Sequence, residues 1–292
     1  MEIFSPLILR IAAFFTVVIV SVSSLFGGAQ FEPKREDHYS GTGSHEAVSI
    51  VIPSDDEIIG NFRIWYPEGK TKCPAVIFLN GSGQKTAWFE EYFERFATFG
   101  IIAIGTDDIN PGDGYSAGKA LETLLSLNSN PESALYGKVN TKKIGIAGYS
   151  QGGAGALRSA SVMPFADSFC TVAVISPSNE ERAESKGWTY DSSKIKVPVL
   201  MVSGTEDDDA YGTITSLNQM QETFTKLQGP KALARKTGAG HQNARQETVG
   251  YIVAWMCWQL CGEIDAGLAF FGKKCEIVRN PAWQDADMQL GY

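Results

Sequence analysis

Residues 144–160 read IGIAGYSQGGAGALRSA, and few folds can use such a stretch. The run Ile144 to Ala147 is short and apolar, as a strand buried on both faces of a parallel sheet would be. The segment Gly152 to Ala160 is small and alanine-rich, as a closely packed helix would be. At the joint stands Gly148-Tyr149-Ser150-Gln151-Gly152, which fits G-x-S-x-G. In that pattern a sharp strand-to-helix turn holds the serine in strained backbone and presents its hydroxyl, while the flanking glycines leave room for the turn.

The rest of the chain supplies a sheet for this joint to sit in. Strand-like runs occur in the order NFRIWYP, PAVIFLN, IIAIGTD, KIGIAGY, TVAVIS and VPVLMVSG, and helical stretches such as AWFEEYFERFATFG, SAGKALETLLSLN and SLNQMQETFTKLQ lie between them. This alternation predicts an α/β fold, an open and mostly parallel sheet with helices on both faces, in which ligands bind at the carboxyl ends of the strands. The chain has 292 residues, 43% of them hydrophobic, and no internal repeat, which fits one large domain over residues 47–292 better than two small ones.

A serine hydroxyl is a weak nucleophile until a base takes its proton, so the elbow predicts a later histidine oriented by a carboxylate. Of three histidines, His38 and His45 precede the sheet, and His241 in TGAGHQNARQ is the only one after Ser150. It is the candidate base. The carboxylate is expected just past a strand, where VPVLMVSGTEDDDAYG places Glu206, Asp207, Asp208 and Asp209. A tight G-x-x-D turn points to Asp207, with Asp208 as the alternative, the other acids forming a solvated face. An oxyanion needs two backbone donors: Gln151 N–H, directly after the nucleophile, and one from the loop after an earlier strand, where NGSGQ offers Ser82 N–H. Trp88, Phe89 and Trp188 are candidate walls for the acyl or alcohol group.

Between Ile3 and Phe31 the only charge is Arg10. Residues 1–30 are therefore expected to be a signal peptide, with Gly27 and Ala29 suiting cleavage, or a retained membrane anchor. Residues 31–46 read as a solvated linker. Either reading makes the domain exported, secreted or held outside the cytoplasm at a membrane. Five cysteines then meet an oxidising compartment, and a bridge from Cys275 to Cys261 or Cys257 is open. With a net charge of −8 and scattered basic residues, nucleic acid is excluded as a partner.

On these motifs the chain resembles the α/β-hydrolase superfamily, and more closely its dienelactone-hydrolase-like branch, which includes cutinase-like and polyester-hydrolysing esterases. The likeness covers roughly Ile50 to Gly272 and includes the elbow, GTED, GAGH and YIVAWMCWQLCGE. It implies a serine carboxylesterase acting on small-molecule or polymeric esters without metal or organic cofactor. By position it implies Ser150 as nucleophile, Asp207 as acid, His241 as base, and Ser82 and Gln151 as oxyanion donors. Ser178 stands where the cutinase-like polyesterases carry a tryptophan. A peptidase or thioesterase uses the same triad, and a non-catalytic binding protein on a hydrolase scaffold is the alternative outside enzymes.

Overall fold

A strand that is apolar at every position must be covered on both sides, and that requirement builds this domain. The computed structural model describes residues 31–272 and 274–291. The expected signal peptide or anchor, residues 1–30, lies outside them. Among the described residues no helix is long and apolar enough to cross a membrane.

Nine strands form one sheet: β1 (Ala47–Pro53), β2 (Asn61–Pro67), β3 (Cys73–Leu79), β4 (Ile102–Thr106), β5 (Val139–Tyr149), β6 (Thr171–Ile175), β7 (Val199–Gly204), β8 (Lys231–Lys236) and β9 (Trp283–Gln289). Their order is β1-β2-β4-β3-β5-β6-β7-β8-β9. The block from β4 to β8 is parallel, whereas β1, β2 and β9 pair antiparallel at the flanks. Every residue of β3, β4, β6 and β7 is buried.

The helices that matter here are α1 (Lys34–Ser40), α2 (Glu90–Thr98), α3 (Tyr115–Ser129), α4 (Gln151–Ser159), α5 (Leu217–Lys226), α6 (His241–Glu247) and α7 (Val249–Met256). Alternate strand residues go to opposite faces. Phe78, Tyr149, Ile175 and Val202 pack with Phe93 and Phe96 of α2 and Trp255 of α7. Leu79, Ile146, Val174 and Met201 pack with Leu124 of α3, Leu157 of α4 and Phe224 of α5. The two-faced α/β architecture expected from the sequence is thus present.

The linker expectation is corrected. Residues 34–40 form α1, because Tyr39 and Glu36 are buried. The amides of Arg35 and Glu36 donate to the Glu276 carboxylate at 3.0 and 2.9 Å, which satisfies the free start of the helix. Glu36 in turn accepts from Lys236 Nζ at 2.8 Å, Trp283 Nε1 at 2.9 Å and Asn280 Nδ2 at 2.5 Å. The bridge left open from Cys275 to Cys261 or Cys257 is not formed: all five cysteines are free thiols.

Candidate active site

Ser150 follows β5 and precedes α4 with φ 57° and ψ −117°, a region costly for any residue with a Cβ. Surrounding contacts hold it there. Its amide donates to Ile175 O at 2.9 Å, and its carbonyl accepts from Ser178 N at 3.1 Å. The fencing glycines are explained by proximity. A Cβ at Gly148 would lie 2.1 Å from Gly152 O, and one at Gly152 would lie 2.2 Å from Asn80 O, so no larger residue lets α4 start this close to the sheet.

His241 opens α6. Its Nε2 lies 3.0 Å from Ser150 Oγ and its Nδ1 lies 2.8 Å from Asp209 Oδ1. With Nδ1 protonated and donating to Asp209, Nε2 accepts the serine hydroxyl, the arrangement needed to remove its proton. Asp209 is fully buried, and its second oxygen accepts from Ser176 Oγ at 2.5 Å and from Gly204 N at 3.0 Å. Buried charge is tolerable when it is hydrogen-bonded this fully. Tyr149 stacks on the imidazole, with ring centroids 5.0 Å apart and 28° between planes, and donates its hydroxyl to His241 O at 3.0 Å. Burial raises the Tyr149 phenol's pKa far above its ordinary value, so it remains a donor.

The carboxylate that meets the imidazole is Asp209, two residues past the expected Asp207. Asp207 takes φ 53° and ψ −134°, and its carboxylate lies over Gly240, where a Cβ would be 2.1 Å from Oδ2. Asp208 is exposed. The bend at Asp207 reverses the chain into the turn Asp208–Tyr211, and it is Asp209, the last acid of the run, that this turn aims inward. Spacing alone could not separate three adjacent aspartates. The available signal was Ser176, a hydroxyl at the exit of the neighbouring strand that a buried carboxylate could use.

Gln151 is buried at the start of α4, while Ser82 lies exposed after β3. Ser82 Oγ donates to Gln151 Oε1 at 2.6 Å, tying that loop to the elbow. Among the described residues neither backbone amide has a protein acceptor. Of the candidate walls, Trp88 is 60% exposed and Trp188 is half-buried, its ring packed over Gly112. Phe89 is a correction: it is buried between Phe78 and Tyr149, with ring centroids at 5.0 and 6.0 Å, and belongs to the core.

With this geometry in view, comparison with known proteins settles the kinship. The family model for PET hydrolase-like proteins, PETase, matches residues 32–262. The chain belongs to the PET hydrolase-like family. It is also similar to the cutinase Est2 of Thermobifida alba, with 27% identity over 211 residues, covering 68% of this chain and 63% of the cutinase. The chain therefore spans less than two thirds of that relative. Membership of this family agrees with the cutinase-like branch that the chain's motifs resemble and with the α/β-hydrolase sheet.

Proposed function

We propose that this protein is an exported serine hydrolase of carboxylic esters, with Ser150 as nucleophile, His241 as base and Asp209 as the acid that orients it. The observation that carries this reading is the unbroken path Asp209–His241–Ser150, with links of 2.8 and 3.0 Å, ending on a serine held at φ 57°. Ser150 Oγ attacks the ester carbonyl while Nε2 takes its proton, and the imidazolium so formed faces the Asp209 carboxylate. The amides of Ser82 and Gln151 receive the developing oxyanion. Nε2 then protonates the leaving alcohol. Water activated by the same imidazole hydrolyses the acyl-enzyme and restores the serine.

Short or accessible esters suit the site better than long acyl chains. Ser178, at the place of the polyesterases' tryptophan, is buried and offers no aromatic platform to a polymer. Export rests on the apolar character of residues 1–30, whether they are cleaved or kept as an anchor.

The test is hydrolysis of 4-nitrophenyl butyrate together with labelling by a serine-directed phosphonate. The unsubstituted protein should turn over the ester and incorporate one phosphonate, and Ser150→Ala and His241→Ala should each lose about four to six orders of magnitude in kcat. A folded protein that neither hydrolyses the ester nor takes up the phosphonate would sink this reading in favour of a binding role on a hydrolase scaffold.

A further inference from the structure

Arg245 lies one helical turn beyond His241 on α6, so the two side chains leave the same face of the helix. Its guanidinium sits against the rings of Trp88 and Phe89, 5.8 and 5.6 Å from their centroids. Those two residues end the loop that begins at Ser82. Phe89 continues the contact to Tyr149, and Tyr149 to His241, so Arg245 flanks the triad on the side of the proposed oxyanion loop.

This cation lacks what guanidinium groups seek. Among the described residues no carboxylate lies within 4.0 Å of it, although the chain carries 33 acidic residues against 25 basic ones. Its Nε and Nη1 are buried without a hydrogen-bond partner, while the residue as a whole is half-buried. Aromatic faces stabilise the charge but accept none of its directed hydrogen bonds. An arginine held in place by two rings and left without an acceptor is preorganised for a carboxylate from outside the protein.

We infer that Arg245 is a specificity residue that receives a carboxylate at the far end of the substrate's acyl group. The preferred substrates are then hemiesters of dicarboxylic acids, with Trp88 lying along the chain that joins the ester to the acid. This rests on the esterase reading above and adds the substrate class to it.

The test compares 4-nitrophenyl hydrogen adipate with 4-nitrophenyl hexanoate, which differ only in a terminal carboxylate in place of a methyl. In Arg245→Gln the adipate-to-hexanoate ratio of kcat/KM should fall at least about tenfold, and in Arg245→Lys it should fall less. In the unsubstituted protein the ratio should decline as salt is raised. A folding defect lowers both rates together and leaves the ratio alone. An unchanged ratio in Arg245→Gln overturns the inference and leaves Arg245 as a clamp on the turn at Trp88 and Phe89. Should the unsubstituted protein hydrolyse neither ester, it is the esterase reading that fails. Sodium adipate raising the Tm of that protein but not of Arg245→Gln would then keep the anion site, and no shift in either would remove it.

Discussion

The exits of β5 and β7 carry nearly the same distortion and use it differently. Ser150 has φ 57° and ψ −117°, and Asp207 has φ 53° and ψ −134°. Each immediately precedes a helical turn. At β5 the strained residue itself meets His241. At β7 the strain serves a neighbour, turning the chain so that Asp209, two residues later, reaches the imidazole. Strained backbone thus marks where a chain is being aimed, and the aimed side chain need not be the strained one. Ser176, after β6, is a third case, with φ 43° and its hydroxyl on Asp209.

If the contrast holds, the acids on the β7 turn differ sharply in what they lose. Asp209→Asn should lower kcat on 4-nitrophenyl butyrate by about four orders of magnitude by disturbing the tautomer of His241. Ser176→Ala keeps the triad but removes one of the two donors to the outer oxygen of Asp209, and a fall in kcat of about tenfold is expected. At Asp207 the backbone should matter more than the carboxylate. Asp207→Gly should keep activity within about threefold, whereas the β-branched Asp207→Val should lose about 1–3 kcal/mol in chemical denaturation. Equal activity losses in Asp207→Gly and Asp209→Asn would break the comparison.

Asp108, just beyond β4, sharpens it from the other side. Its burial resembles that of Asp209, but no histidine faces it, and burial pushes its carboxyl pKa up despite a hydrogen bond from Asn110 N at 2.7 Å. Ionisation is therefore harder in the folded chain than in the unfolded one. The penalty is absent below the ordinary carboxylate value and grows as pH rises through the raised one. Asp108→Asn should raise the Tm by about 1–3 °C at pH 7 and leave it unchanged near pH 3, as read by calorimetry.

How much of this was legible in the sequence follows from where each signal resides. The elbow was legible because close backbone packing forces glycine at fixed offsets from Ser150, and His241 stood out because no other histidine follows the nucleophile. The central strands were legible because both of their faces are covered. The flanking strands were harder. β9, at the edge of the sheet, reads WQDADMQ, with polar residues along much of its length, since an edge faces water and needs no continuous apolar run. Asp209 was hidden among identical neighbours, distinguished only by the direction of its side chain. Arg245 was hidden too, because the absence of a partner has no signature in one dimension.

The clasp around Glu36 has a consequence for how the molecule comes into being. Its bonds to Glu276 and Asn280 join positions 240 and 244 residues apart in the chain. Until the last strand has been synthesised, the head of the domain has no counterpart and α1 has no cap. Early closure is therefore denied to the nascent chain. Once Glu276, Asn280 and Trp283 arrive, they lock α1 against the far end of the domain, so that neither peels away alone.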